Sequence, residues 1–335
     1  MVNSFDVAKL AGVSQTTVSR ALRGDERVSE RTRRLVEQAA QSLSYVPNPA
    51  GRALSSGRTD RIALLVTDLT NEFYHRIIAP LAEALQKRGK ELVLQVDVPD
   101  LKFVPERIQA LGVDGVILGT TTTESMVPYY LKERGIPFVY FNRTSPSAIG
   151  DVATVDSTQG YHQMLESALE FGHKKVALIN GPSNSTTGYG RAIALKSFLA
   201  ERGVSIPSEY DLSGNFSIDT GRKAFGKLMK LHSPPSIVVC GNDTIAYGAK
   251  NEAVHLGIDI PGEVSVVGFD NLPESAQPVY DLSSIGYDLE RLIEGCVELL
   301  LERVENPEKP VSSFTIPTIF VPRGSLGEAP GRSPQ

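Results

Sequence analysis

Seven apolar runs recur after Arg61: Ile62–Val66, Leu92–Val96, Gly115–Leu118, Phe138–Phe141, Val176–Ile179, Ile237–Val239 and Val264–Val267. Stretches of helical periodicity separate them. A strand wetted on one face alternates apolar with polar residues, whereas a continuous apolar run is buried on both faces. Helices between such strands give βαβ units and a parallel sheet. Four runs precede about residue 150 and three follow it. The pattern therefore predicts an α/β fold with two open, doubly wound sheets, and ligands at the carboxyl ends of the strands.

Before Arg61 no β-rich run occurs. Asp6–Ala11 reads as one helix, broken by Gly12, and Ser14 is a good cap for a second, Gln15–Leu22, which stops near Gly24. Ser29 can cap a third, in which Leu35, Ala39 and Leu43 form a predicted buried stripe. Tyr45-Val-Pro-Asn-Pro49 cannot continue that helix, because proline lacks a donor and restricts the residue before it. Ala50–Ser56 is a short helix candidate inside a linker. A chain of 335 residues fits two domains and a small appendage.

Charge follows the same division. The net charge is −5, yet residues 1–58 carry +4 and the remainder −9. A basic head on an acidic body suggests a polyanion touched by the head alone. Cys240 and Cys296 give no CxxC, zinc spacing or disulfide framework, which suits a reducing cytoplasm. MVNSFDVAKL has no apolar core of a signal peptide, and no apolar stretch approaches ~18 residues, so membrane and secreted classes are not expected. The five histidines show no metal spacing; His173 reads as a helix end. Gly188-Tyr-Gly-Arg-Ala192 is a false dinucleotide fingerprint, since that motif needs its glycines directly at a strand end.

Asp6 to Leu22 has the spacing of a helix-turn-helix. Ala8 and Ala11 let two helices cross closely, while Val13, Val18 and Leu22 fill their shared core. The second helix then presents Gln15, Thr16, Ser19 and Arg20, which can reach base edges from the major groove. Arginine pairs bidentately with guanine and glutamine with adenine.

This segment, with Val28-Ser29, Tyr45-Val-Pro-Asn48 and Arg52-Ala-Leu54, resembles the head and hinge of the lactose-repressor (LacI/GalR) family. The resemblance continues through Gly172-His-Lys-Lys-Val-Ala177, Gly241-Asn-Asp-Thr-Ile-Ala246 and Val264-Ser-Val-Val-Gly-Phe-Asp270 and covers about residues 4 to 322. It implies a homodimeric transcriptional regulator, acting as a repressor on a double-stranded, pseudo-palindromic operator and switched by a small carbohydrate-like effector. No catalysis, cofactor, metal or membrane is implied. A periplasmic sugar-binding protein would share the body but lack the basic head.

Carried over by position, Ser14 and Thr17 resemble phosphate contacts, Gln15, Thr16 and Arg20 base readers, and Arg27 a further DNA contact. Asn48 and Leu54 fall in the hinge; Leu54 matches an apolar minor-groove wedge, which unstacks a base step. Gly51 stands where alanine is usual, at a cost of ~1 kcal/mol in helix propensity. Effector positions map to Asp68, Phe73, Asn142 and Arg143 in the first lobe, and to Ser185, Thr187, Arg191, Phe216, Asn242 and Asp270 in the second. Taken alone, Asp270 could cap a helix and Phe216 could be core. Ser185 stands where purine-responsive relatives have arginine, which argues against a purine. The implied layout is a helix-turn-helix over 1–46, a hinge over 47–58, and a two-lobed core. The first lobe is 59–157 with 286–322, the second 158–285, and 323–335 a disordered tail.

Overall fold

The computed structural model describes residues 2–22, 24–46, 57–66, 69, 72–96, 104–144 and 149–331. The chain divides into two compact units, residues 1–59 and 60–335. Asn48, Gly51, Leu54 and Asp68 lie outside the described residues.

The smaller unit holds α1 (Ser4–Ala11), α2 (Gln15–Ala21) and α3 (Glu30–Ser42). Each starts with a side chain that accepts from an otherwise orphaned backbone N–H. Asn3 and Asp6 cap α1 reciprocally: Phe5 N donates to Asn3 Oδ1 at 2.8 Å and Asn3 N to Asp6 Oδ2 at 2.9 Å. Ser14 Oγ accepts from Thr17 N at 3.1 Å, and Ser29 Oγ from Thr32 N at 3.2 Å. Gly12 ends α1 at φ 67°, a left-handed turn that favours glycine. Val7, Ala8, Val18, Ala21, Val28, Val36, Ala39 and Ala40 form the core. Leu35 corrects the expected stripe: it is 45% exposed, and the inward face runs through Val36, Ala39, Ala40 and Leu43. Steps of four residues drift by about 40° per step around a helix, so mixed steps of three and four define the buried face better.

In the larger unit, the first lobe contains β1 (Arg61–Val66), α4 (Glu72–Gln86), β2 (Glu91–Val96), α5 (Val104–Leu111), β3 (Gly115–Leu118), α6 (Val127–Glu133), β4 (Phe138–Phe141) and β5 (Asp151–Asp156). The chain crosses into the second lobe, through α7 (Thr158–Glu170), β6 (Val176–Asn180), α8 (Thr186–Glu201), β7 (Asp211–Ser213), α9 (Ile218–Met229), β8 (Ile237–Cys240), α10 (Asp243–Leu256), β9 (Ser265–Phe269) and β10 (Ser283–Gly286). It returns with α11 (Leu289–Glu305) and β11 (Ser313–Pro317), then crosses once more to β12 (Ile319–Val321). The sheets run β11-β5-β4-β3-β1-β2 and β12-β10-β9-β8-β6-β7, parallel except for β12, which pairs antiparallel with β10. The strands predicted from apolar runs are all present, and β1, β3, β4, β6, β8 and β9 are almost wholly buried.

The crossings are tied together. Thr318 Oγ1 donates to Asp156 O at 2.9 Å and accepts from Gly160 N at 3.1 Å, joining the first crossing to the last.

Two boundaries of the expected layout need correction. Residues 319–321 belong to the second lobe's sheet, not the first lobe's. The segment 323–331, expected to be disordered, is ordered: Ser325 is fully buried, with its Oγ donating to Val266 O at 2.6 Å and accepting from Ser283 N at 2.8 Å. Ala329 N donates to Phe171 O at 2.8 Å. A Gly/Pro/Ser-rich composition lowers the cost of an irregular path, but the backbone groups of that path still find partners here.

Candidate nucleic-acid interface and ligand cleft

Helix α2 buries Val18 and Ala21 and leaves Ser14, Gln15, Thr16 and Arg20 exposed, with Thr17 and Ser19 half-buried. The 3.6-residue period thus separates a packed face from a polar one. Gln15 Nε2 donates to Ser4 Oγ at 2.7 Å, and the Ser14 and Thr17 hydroxyls meet at 2.8 Å. Arg27 is held in a fork by Asp25, Nε to Oδ1 at 2.9 Å and Nη2 to Oδ2 at 2.7 Å. These bonds hold the Asp25 carboxyl far below the usual carboxylate range. Arg33 donates to Gly24 O and Asp25 O, both at 3.2 Å, and so secures the turn after α2.

The cleft in the larger unit lies where open α/β sheets present ligands, at the carboxyl ends of the strands. Phe73, Gly119, Asn142, Arg143, Thr187, Arg191, Phe216, Asn242 and Asp270 line one narrow cleft. Eight of the ten positions expected from sequence therefore converge; Ser185 adjoins as a hydrogen-bond partner of Arg143, and Asp68 lies outside the described residues.

Arg191 and Asp270, each 4% exposed, are joined at 2.7 Å. Arg191 also donates to Gly241 O at 2.6 Å and stacks 3.7 Å from the Phe269 ring centroid. Tyr287, on the second crossing, donates to Asp270 Oδ1 at 3.3 Å. Arg143 Nε donates to Gly119 O at 3.2 Å, and its Nη1 to Thr187 Oγ1 at 2.9 Å and to Ser185 Oγ. Thr187 Oγ1 in turn donates to Asn142 O at 2.7 Å. Arg76 of α4 reaches across to Asp270 O at 2.9 Å and Asn271 O at 3.1 Å. The two lobes are thus bridged directly around the cleft.

Local backbone shape sets these positions. Asn142 and Asp270 follow β4 and β9 at φ 50° and 99°, and Asn271 at 46°. Such conformations cost roughly 1–3 kcal/mol each for residues other than glycine and gather at functional sites. A Cβ on Gly181 would lie 2.1 Å from the Phe216 ring, so glycine there lets the aromatic face lie on backbone. Asn242 caps α10, accepting from Ile245 N at 2.9 Å. Beside it Asp243 is fully buried and accepts from Ser284 Oγ at 2.6 Å, Ser275 Oγ at 2.7 Å and Leu272 N at 2.7 Å. Burial nonetheless pushes its carboxyl up to about 7. It anchors the loop that carries Asp270 and Asn271.

His173 is buried away from the cleft, its Nδ1 3.0 Å from Ser236 Oγ and its Nε2 2.9 Å from Gly327 O. Burial pushes its pKa down. Sequence reasoning missed Gly119, Arg76 and Tyr287. Gly119 directly follows an apolar run and was findable from the strand-end rule; Arg76 and Tyr287 carry no local signal. Among the described residues, no cluster of His, Cys, Asp and Glu could hold a metal ion, and no helix is long and apolar enough to cross a membrane.

Residues 5–48 match the bacterial regulatory proteins of the lacI family, and residues 165–326 the periplasmic binding protein-like domain. The chain is 31% identical over 286 residues to the HTH-type transcriptional regulator DegA of Bacillus subtilis (strain 168), covering 82% of this chain and 83% of that one. Among solved structures, a complex of the transcriptional regulator CelR with cellobiose is 26% identical with a TM-score of 0.74, covering 97% of this chain and 100% of the other. A lac repressor dimer bound to operator and the anti-inducer ONPF is 22% identical with a TM-score of 0.85, covering 97% and 98%. That second likeness shows the fold.

Proposed function

The chain belongs to the LacI family of bacterial regulatory proteins, regulators rather than enzymes, and from that premise we propose that it is a homodimeric repressor whose operator affinity is set by a carbohydrate-like effector bound between its lobes. Two heads in a dimer read a pseudo-palindromic site. The observation that carries this reading is the convergence of Phe73, Asn142, Arg143, Thr187, Arg191, Phe216, Asn242 and Asp270 on one cleft. Amide, guanidinium, hydroxyl and carboxylate groups around aromatic faces match a polyhydroxylated ligand. The cellobiose complex of the similar regulator supports the sugar class, and the operator-bound dimer of similar fold supports the assembly.

On the DNA side, Gln15, Thr16 and Arg20 read bases with Ser19 on the same face, while Ser14 and Thr17 meet the backbone; Arg27 adds a contact pre-oriented by Asp25. Asn48 and Leu54 are assigned to the hinge, Leu54 as the minor-groove wedge. Asp68 is assigned to the effector set by its family position, and Ser185 acts through Arg143. The protein works on DNA in the cytoplasm and needs no cofactor. Switching is linkage: a ligand that binds one lobe arrangement better shifts the equilibrium toward it, and DNA affinity follows.

The test selects bound duplexes from a random library with the full chain, then repeats the binding across a panel of sugars, sugar acids, sugar phosphates and nucleosides. An inverted repeat occupied by a dimer, with affinity changed by a carbohydrate, is the expected result. A monomer on an asymmetric site, or a response to nucleosides alone, would overturn it.

A further inference from the structure

Among the described residues, the charges around the cleft do not balance. Arg143 donates only to neutral oxygens, the Gly119 carbonyl and the Ser185 and Thr187 hydroxyls. Arg76 likewise donates to the carbonyls of Asp270 and Asn271. Among the described residues the cleft has one carboxylate, Asp270, and Arg191 already occupies it. Among the described residues three guanidinium groups therefore surround one carboxylate, and the proposed addition of Asp68 still leaves the cations in excess. Arg143 and Arg76 are half-buried with neutral acceptors only, and a partly desolvated cation gains from an anion that pairs with it.

Other features aim positive potential at the same place. Arg143 meets the start of the 16-residue helix α8, whose cap is Ser185 and whose first turn carries Thr186 and Thr187. A helix N-terminus presents N–H groups and the positive end of its dipole. Independently, Arg191 Nε is buried and has no hydrogen-bond partner, although the side chain lines the cleft and is 4% exposed. A buried donor left unpaired calls for an acceptor.

Resting on the proposed carbohydrate reading, we infer that the effector is an acidic sugar, its carboxylate or phosphate seated on Arg143 at the first turn of α8. The neutral part of the ring then lies between Phe73 and Phe216, with its hydroxyls toward Asn142, Asn242 and Asp270. Arg143 exchanges its hydroxyl partners for the anion, so binding loosens the direct contact between lobes and replaces it with one made through the ligand. A charge-assisted, bidentate bond to the planar guanidinium is stronger than the neutral bonds it replaces.

Isothermal titration of the full chain tests this with matched pairs: galacturonate against galactose, glucuronate against glucose, and glucose 6-phosphate against both, with inorganic phosphate as the bare anion. The expected result is one acid binding at least tenfold tighter than its neutral parent. Carboxylate and phosphate sources are separated by which acid wins. Arg143→Gln should erase that preference, and Arg143→Lys, which keeps the charge, should restore part of it; melting temperature without ligand confirms folding of both. A neutral sugar binding as tightly as its acid, or equal losses for both in Arg143→Gln, would overturn the acidic assignment and leave the carbohydrate reading standing. Response to none of these sugars, with response to nucleosides, would overturn both.

Discussion

The head and the cleft keep their working side chains in opposite conditions. On α2, Gln15, Thr16 and Arg20 stand in solvent above a core of small residues, and the pairings near them are local, such as Gln15 with Ser4 and Arg27 with Asp25. In the cleft, Arg191 and Asp270 are almost wholly buried and paired with each other across 79 residues of sequence. A solvated side chain can change partner at little cost, which suits a surface that slides over many DNA sequences before it reads one. A buried ion pair is held by the whole fold, so any ligand that engages it also engages the packing behind it.

The contrast predicts unequal responses to truncation. Arg191→Ala removes one member of a buried pair and leaves the Asp270 carboxylate with Tyr287, which should cost about 3–5 kcal/mol of core stability. Differential scanning calorimetry should show the core transition falling while a separate head transition stays in place; a core transition that does not move would break the comparison. Asp270→Asn keeps the shape and should lower effector affinity at least tenfold, about 1.4 kcal/mol or more. Normal affinity in that folded variant would mean that the pair is structural only.

Exposed readers should respond differently. Arg20→Ala and Gln15→Ala should each cost roughly 1–3 kcal/mol of discrimination at particular operator positions while leaving melting temperature unchanged. Equal losses on operator and random duplex would show phosphate contact instead of base reading.

The smallest effect concerns His173. Its folded pKa is depressed by burial, so its contribution is complete above the unfolded value near 6.5 and is lost as pH falls through the folded value. Denaturation of His173→Gln between pH 7.5 and 5 should show a shallower acid loss than the unsubstituted chain. Parallel curves would remove the histidine from the account.

How much was legible in the sequence depended on how local each cause is. Gly12, Ser14 and Ser29 announce turn and caps because the backbone groups they satisfy lie within three residues. The central strands read clearly because both of their faces are buried. β5, whose sequence DVATVD mixes polar and apolar residues, and the three-residue strands β7 and β12 gave no run to detect; pairing partners distant in sequence define them. The cleft positions were placed through family likeness more than residue chemistry. Ser185 turned out to act on Arg143, a relation between lobes that no local pattern encodes. The tail beyond Arg323 misled because composition reports the freedom of a segment, not the partners waiting for it.

Thr318 joins the edge strand of one sheet to the edge strand of the other, with no residue to spare between β11 and β12. That arrangement imposes an order on biosynthesis. The head can form once the chain has emerged to about residue 46, since its contacts are short-range. Both lobes, by contrast, wait for the same late stretch of chain: one lacks its border until residue 317 is made and the other until residue 321. A nascent chain can thus complete its head well before its core, and the two halves of the core reach completion almost together, within a few residues of each other.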